Sequence, residues 1–305
     1  MPILGIVNAS KSNFRGVAGY FAGGFDTGYV SRIDKITFPA DTKTTLSATL
    51  TTARNDPTGM ANSGVAGYAA GGFSGSYLSG IDKITFPADT KTTLSATLTS
   101  NNGGMAGMAD SAVAGYFAGG YGGSNTNRID KITFPADTKT TLSAVLTNSP
   151  DGCSGMANSG VAGYVGGGYS GGYTSVIDKI TFPADTKTTL SAVLSSVRND
   201  FGGMANSGVA GYFGGGASPQ TSGIDKITFP ADTKTTLSAT LTTARNGNRG
   251  MANSGVAGYF GGGTDSVNLS GIDKITFPAD TKTTLSATLT AGTAATASFA
   301  DSGAL

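Results

Sequence analysis

One string of sixteen residues occurs six times in this chain: Ile-Asp-Lys-Ile-Thr-Phe-Pro-Ala-Asp-Thr-Lys-Thr-Thr-Leu-Ser-Ala. The copies begin at Ile33, Ile81, Ile129, Ile177, Ile224 and Ile272. They follow one another at intervals of 48 residues, except for one interval of 47 between the fourth and fifth copies. A chain made of such units must build its core by packing each unit against its neighbours.

Each unit contains four strand-like segments, which we name A to D in chain order. In the second unit they are Met60–Ser63, Ala66–Gly72, Ile81–Phe86 and Thr92–Thr99. Segment C ends at Pro87 because proline cannot donate to a strand ladder. Segment D alternates apolar and hydroxyl side chains, which is the period of a sheet with one packed face. The sequence therefore predicts an all-β fold, a six-bladed β-propeller of four-stranded antiparallel blades.

The phase of the repeat predicts how the ring closes. Units two to six each begin with a segment-A motif, and a sixth such motif, Phe299-Ala300-Asp301-Ser302, stands at the end of the chain. The first unit has Ser12-Asn13-Phe14-Arg15 at the aligned position. We therefore expect a C-terminal strand at about 298–303 to be the innermost strand of blade one, which hides edges that would otherwise pair with other chains. This divides the chain into an N-terminal arm, residues 1–13, and a propeller, residues 14–305.

The units resemble the kelch repeat. Each has an apolar strand with a tyrosine, then a glycine pair, a variable loop and a strand that contains aspartate. The pairs are Gly23-Gly24, Gly71-Gly72, Gly119-Gly120, Gly167-Gly168, Gly215-Gly216 and Gly262-Gly263. The tryptophan usual in kelch strand D is absent, and Leu94 and its equivalents stand near its place. The resemblance covers nearly the whole chain and implies the same blade architecture.

The copies differ in the B–C and D–A loops, whereas the A–B and C–D turns barely vary. In an antiparallel blade both variable loops emerge at the same end, so we predict one diversified face and one uniform face. Diverse loops on a rigid scaffold usually bind ligands, although drift without selection is an alternative. The predicted binding residues are Tyr29, Arg54, Tyr77, Asn125, Tyr173, Arg198, Gln220, Arg245 and Asn268, and Arg249 lies in the same loops.

Segment A also carries one polar residue per blade: Asn62, Asp110, Asn158, Asn206, Asn253 and Asp301. Because segment A lines the axis of a propeller, these side chains are expected to form a polar ring in a central channel. Their oxygens suit a hard cation such as Ca²⁺, but only two are carboxylates, so a water-filled channel is the alternative and we assign no metal. We expect Asp34 and its copies to be structural hydrogen-bond partners, and Asp41 with Lys43 to form a solvated turn.

Composition argues against several classes of function. The chain has no His, no Trp and no Glu, so it lacks the commonest general acid–base groups and versatile metal ligands. We therefore predict no enzymatic activity and no cofactor. Charged residues make up 13% of the chain with a net charge of +1, which argues against nucleic-acid binding. The single cysteine, Cys153, cannot form an internal disulfide, and no signal peptide or membrane-spanning segment is expected.

The N-terminal segment bears on localisation. The opening Met-Pro-Ile-Leu-Gly-Ile-Val, followed by Ala9-Ser10, resembles the start of many phage virion and tail-appendage proteins. This resemblance implies a virion protein whose residues 1–13 dock to other virion or tail proteins, while the variable loops bind a host surface protein or glycan. An added outer strand or a plug over the channel is the structural alternative for this segment. The functional alternative is a cellular kelch-like scaffold or lectin.

Overall fold

The computed structural model describes residues 17–302 and confirms the predicted fold. These residues form six separate four-stranded antiparallel sheets. They contain no helix, and therefore none that is long and apolar enough to cross a membrane. The predicted arm at residues 1–13 lies outside the described residues.

The strands follow the same order in every blade, from the axis outwards. Blade one consists of β24 (Ala297–Ala300), β1 (Ala18–Ala22), β2 (Ile33–Thr37) and β3 (Thr42–Thr45). Blade two has β4 (Thr58–Asn62), β5 (Ala66–Ala70), β6 (Ile81–Thr85) and β7 (Lys91–Thr93), and blade three has β8 (Ala106–Asp110), β9 (Ala114–Ala118), β10 (Ile129–Thr133) and β11 (Thr138–Thr141). Blade four has β12 (Ser154–Asn158), β13 (Ala162–Gly166), β14 (Ile177–Thr181) and β15 (Lys187–Thr189). Blade five has β16 (Gly202–Asn206), β17 (Ala210–Gly214), β18 (Ile224–Thr228) and β19 (Thr233–Thr236), and blade six has β20 (Arg249–Asn253), β21 (Ala257–Gly261), β22 (Ile272–Thr276) and β23 (Thr281–Thr284).

The C-terminal strand closes the ring as predicted. Strand β24 pairs antiparallel with β1, with Gly19 opposite Ala300 and Ala22 opposite Ala297. It also contacts the inner strands of the two flanking blades, β4 and β20. The two ends of the described chain thus meet within one blade, and the six inner strands form an uninterrupted ring.

The outermost strand is shorter than predicted. In blade two it covers only Lys91–Thr93, whereas the alternating pattern predicted a strand through Thr99. After Thr93 the chain bends at Ser95 and keeps only single backbone hydrogen bonds, from Leu94 N to Ile81 O of segment C and from Leu98 N to Ser79 O of the B–C loop, both 2.9 Å. The alternation therefore reflects burial of the leucines against the blade and not a continuous ladder.

The inner strands pack backbone against backbone around the axis. One position in each of them faces the carbonyl of the preceding blade, and it is glycine in five blades and serine in blade one: Gly59, Gly107, Gly155, Gly203, Gly250 and Ser298. A Cβ added to Gly107 would lie 1.9 Å from the carbonyl oxygen of Gly59. The space left at this level is a cavity of about 30 Å³. The described inner strands therefore leave no wide central channel.

Neighbouring blades are joined by a repeated Tyr–Asp–Lys contact. The buried hydroxyl of Tyr68 donates to Asp137 of the next blade at 2.8 Å, and Lys83 Nζ donates to the other oxygen of Asp137 at 2.6 Å. The aspartates that make this contact in the six blade junctions are Asp41, Asp89, Asp137, Asp185, Asp232 and Asp280. The predicted solvated Asp41–Lys43 turn is therefore wrong, because the carboxylate of Asp41 pairs instead with Tyr259 and Lys274 of blade six.

The aspartate of segment C is also a structural partner, as predicted. Asp34 accepts hydrogen bonds from Thr45 Oγ1 at 2.7 Å and from the backbone N–H of Thr290 at 2.8 Å. Because Thr290 belongs to the unit that ends blade six, this carboxylate links the outer parts of two blades. Together with the tyrosine contacts, such links fix each blade rigidly beside the next and hold the loops at their ends in place.

Candidate functional site

The B–C and D–A loops lie at the same face, which we call the variable face. In blade two, Asn55 of the D–A loop forms a backbone bridge with Phe73 of the B–C loop, and in blade four Asp151 does so with Tyr169. The A–B and C–D turns form the opposite, uniform face. The residue just before segment B lies on this face and is an exposed valine in five blades: Val17, Val65, Val113, Val161 and Val209. The predicted separation of variable and uniform faces is confirmed.

Aromatic rings form a continuous ladder across three blades of the variable face. Phe25 contacts Tyr29, and Tyr29 contacts Phe73 of the next blade, with ring centroids 5.8 and 5.9 Å apart. Phe73 contacts Tyr77 at 5.0 Å, and Tyr77 contacts Tyr121 of blade three at 5.4 Å. All four contacts are edge-to-face, a favourable geometry worth about 0.5–1.5 kcal/mol for each pair. The rings are therefore held in fixed orientations before any ligand arrives.

Blade four continues this aromatic surface with Tyr169 and Tyr173, whose centroids are 5.0 Å apart. We call the seven rings of blades one to four the aromatic arc. Several are well exposed: Phe25 and Tyr29 at 39%, Tyr169 at 41% and Tyr173 at 44%. The same two loop positions hold Ala217 and Gln220 in blade five, and Thr264 and Asn268 in blade six. The variable face is thus aromatic on one side and polar on the other.

The predicted tyrosines and amides all lie on this face, but they make different kinds of contact. Tyr29 and Tyr77 belong to the ladder, while Tyr173 faces a next blade whose first loop residue is the small Ala217. The three amides donate instead to backbone carbonyls of the following blade: Asn125 to Tyr169 at 2.7 Å, Gln220 to Thr264 at 3.1 Å and Asn268 to Asp26 at 2.7 Å. They link blades at the rim, so the aromatic residues are the better candidates for ligand contact.

The prediction that Arg54, Arg198 and Arg245 belong to the binding surface is wrong. Their side chains are buried, with exposures of only 2%, 1% and 2%. Each guanidinium forms an ion pair with the segment-C aspartate of its own blade: Arg54 with Asp82 at 2.9 Å, Arg198 with Asp225 at 2.6 Å and Arg245 with Asp273 at 2.9 Å. A buried carboxylate needs a partner of opposite charge, and these arginines turn inwards to supply it.

The polar ring of segment A is also different from the prediction. Its side chains are buried and, where the partner is described, each accepts a backbone N–H instead of facing a channel. The Oδ1 atoms of Asn62, Asp110, Asn158 and Asn206 accept from the A–B turn of the next blade at 2.8–2.9 Å, and that of Asp301 accepts from Val17 at 2.7 Å. The position equivalent to these donors for Asn253 is residue 303, outside the described range. In the described part of the chain these residues therefore join neighbouring blades, which is the role that the sequence did not predict for them.

An acidic cluster that the sequence did not indicate lies where the D–A loops converge on the axis. It comprises Asp56, Asp151 and Asp200, and Arg249 forms an ion pair with Asp56 at 2.5 Å. Burial and the nearby charge of Asp56 raise the pKa of Asp151 to about 6 and that of Asp200 to about 7. Residues 17–302 contain no group of carboxylates, His or Cys with the geometry of a metal site. Because these carboxylates are close together and partly buried, their mutual repulsion destabilises the folded state at neutral pH.

Replacing Asp151 by asparagine is expected to stabilise the fold at pH 8 and to leave it unchanged at pH 4. Blades two, five and six already place asparagine at this loop position, as Asn55, Asn199 and Asn246. Since the folded pKa of about 6 exceeds the ordinary value of 3.8, wild-type protein loses stability as the pH rises between these values. The gain is at most about 3 kcal/mol. Thermal unfolding at both pH values measures it, and an equal gain at pH 4 would contradict the electrostatic origin.

Comparison with known proteins supports the fold and no more. No protein-family model matches the chain. The search of curated proteins likewise gives no similar sequence. A solved structure, that of YjhT, superposes with a TM-score of 0.68 over 87% of this chain and 96% of its own, at 13% sequence identity. At that identity the likeness is one of fold, so the function of this chain rests on its own residues.

Proposed function

We propose that this chain is a non-catalytic binding module, an appendage of a phage particle that recognises a glycan on the host surface through the aromatic arc. The observation that carries the proposal is the continuous edge-to-face ladder from Phe25 to Tyr121 on the variable face. Exposed, rigid aromatic rings supply large contact areas at little entropic cost, which is why they dominate recognition surfaces. Nothing in the packing of the blades requires these rings, since blades five and six lack them.

A glycan suits the arc better than a charged partner does. The faces of sugar rings are apolar enough to pack on aromatic side chains, while their hydroxyls bind the polar groups beside them. The charges beside the arc are carboxylates, which disfavour an anionic partner: Asp26 is paired with Arg32 at 2.7 Å and Asp56 with Arg249, and Asp151 forms a backbone bridge with Tyr169. Binding, and not catalysis, is further favoured by the lack of His and Glu and by the many aspartates already engaged in blade contacts.

The phage assignment rests on the opening of the sequence, which resembles virion proteins, and residues 1–13 would dock to the particle. A cellular kelch-like scaffold or lectin is the second candidate, favoured by the glycine pairs of each unit. Removing residues 1–13 separates the two. Loss of incorporation into particles, with ligand binding retained, supports the phage role, whereas unchanged incorporation contradicts a docking arm.

The triple variant Tyr29→Ala/Tyr77→Ala/Tyr173→Ala is expected to weaken glycan binding at least a hundredfold. A hundredfold loss corresponds to about 2.7 kcal/mol, a modest sum for two exposed rings, Tyr29 and Tyr173, and the partly buried Tyr77 at the centre of a contact. Binding is measured by biolayer interferometry on immobilised lipopolysaccharides and capsular polysaccharides from a panel of bacteria. The control is Val65→Ala/Val113→Ala/Val161→Ala, which truncates three exposed side chains of the uniform face. Equal affinity of the two triple variants would rule out the arc as the binding surface.

A further inference from the structure

An open groove separates the B–C loops of blades six and one, directly beside the first ring of the aromatic arc. It measures about 620 Å³, which is the size of a small-ligand site. Asp26 and Thr27 of blade one line one wall, and Ser266, Val267 and Asn268 of blade six line the other. Thr264 of blade six also lines the groove, as do Ala291 and Gly292 from the D–A loop that leads from blade six back to blade one.

Small residues line the groove on the side of the D–A loop. Ala291 and Gly292 lie there, and a Cβ added to Gly292 would lie 2.0 Å from the carbonyl oxygen of Asn268. The walls are fixed to each other, because Asn268 Nδ2 donates to the carbonyl oxygens of Phe25 at 3.1 Å and Asp26 at 2.7 Å. A groove whose walls are already held in place binds a ligand without a large ordering cost.

The chemistry of the lining is that of a site for an uncharged polar ring. Thr27 and Ser266 line the groove, with their hydroxyl groups 3.4 Å from the carboxylates of Asp26 and Asp265, and Val267 is 64% exposed beside them. No free positive charge faces the groove among the described residues, because Arg32 is paired with Asp26 at 2.7 Å. The exposed carboxylate of Asp265, which accepts the backbone N–H groups of Ser266 and Val267, adds negative charge near one wall. An anionic sugar would be repelled here.

The groove also continues into the arc. Phe25, whose carbonyl accepts from Asn268 at the groove wall, is the first ring of the ladder and contacts Tyr29 at 5.8 Å. An oligosaccharide that extends out of the groove on the side of Phe25 meets the rings of Phe25 and Tyr29, each 39% exposed. We propose that the groove between blades six and one receives the terminal residue of a neutral oligosaccharide, whose following residues stack on Phe25 and Tyr29. This inference rests on the proposed function. It adds the class of ligand, a neutral oligosaccharide, and the place where the terminal sugar residue binds.

Isothermal titration of the full chain tests the ligand class. The probes are linear oligomers of two to six glucose, mannose or N-acetylglucosamine units, and hyaluronate fragments of equal length as acidic counterparts. We expect at least one neutral series to bind, with Kd falling at least tenfold from disaccharide to tetrasaccharide as the chain reaches the rings. Hyaluronate should bind at least tenfold more weakly. Preference for hyaluronate, or no binding of any neutral series, would overturn the inference.

A matched pair of variants tests the place of binding. Val267→Asp adds a charge to the groove and should weaken binding of the neutral tetrasaccharide at least tenfold. Ser124→Asp adds the same charge at the same loop position of blade three and should leave it unchanged. Equal affinities of the two variants would rule out the groove as the binding place of the terminal residue. The proposed function would still stand if the triple tyrosine variant bound at least a hundredfold more weakly. If polysaccharides bind equally well without the three tyrosines, the proposed function itself fails.

Discussion

Gly107→Ala is expected to destabilise this protein by more than about 3 kcal/mol, or to prevent it from folding. The added methyl group would lie 1.9 Å from the carbonyl oxygen of Gly59, and that neighbour is backbone in a closed ring. Overpacking a core typically costs about 1–3 kcal/mol when side chains can move aside. Here the inner strands of two blades would have to separate, and closure of the ring couples that movement to all six.

Gly80→Ala is the control for this prediction. Gly80 lies in the B–C loop of blade two, and a Cβ added there meets no atom within 4 Å. Its melting temperature should match that of the wild type within about 1–2 °C, because substitutions of surface residues usually change stability by less than 0.5 kcal/mol. Similar melting temperatures for the two variants would show that the inner strands have more room than the backbone contacts imply.

Deletion of residues 296–305 is expected to convert the closed propeller into aggregates or oligomers that exchange strands. It removes β24, which leaves the inner edge of β1 unpaired and takes from each of two inner strands, β4 and β20, its neighbour on one side. It also removes Phe299, whose ring stacks on Tyr20 at 5.3 Å and occupies the space above Gly67. Exposed strand edges of this kind recruit strands from other chains.

Light scattering and thermal unfolding measure this effect, and a synthetic peptide of residues 296–305 should restore the wild-type particle size when added. Phe299→Met is the control, because the other five inner strands carry methionine at this position: Met60, Met108, Met156, Met204 and Met251. It should keep the wild-type particle size and nearly wild-type stability. A truncated chain that kept the wild-type size and melting temperature would contradict closure by the C-terminal strand.

Much of the architecture was predictable because it is repeated. The six copies of one string and the displaced segment-A motif at Phe299–Ser302 give the number of blades and the closing strand. The end at which each loop emerges follows from antiparallel pairing alone. The length of segment D did not follow, because Leu94 and Leu98 alternate with polar residues while the chain has already bent at Ser95.

The candidate site was only half predictable, because its residues come together from different blades. The sequence drew attention to Tyr29, Tyr77 and Tyr173 at loop centres, but not to Phe25 and Phe73, which begin the same loops and complete the ladder. In three copies an aromatic residue stands four residues before the loop tyrosine, and this recurring spacing was a signal that could have identified Phe25 and Phe73.

Charged residues were the hardest to assign from sequence. Arg54 is a loop residue by position, but the buried Asp82 attracts it inwards. Asp56, Asp151 and Asp200 stand in three separate loops, and only convergence of those loops on the axis makes them neighbours. In both cases burial and the nearest opposite charge decide what the side chain does, and neither can be read from one repeat unit.

Hydroxyl-radical footprinting tests most directly whether one face of this propeller binds its ligand through the aromatic arc, as proposed. The protein is labelled free and bound to the tightest-binding polysaccharide of the panel, and the loop peptides are distinguishable because the loops differ in sequence. The account predicts protection of Phe25, Tyr29, Tyr77 and Tyr173, with no change at Val65, Val113 and Val161. Protection of those valines, with the tyrosines still accessible, would place the ligand on the uniform face and contradict the account.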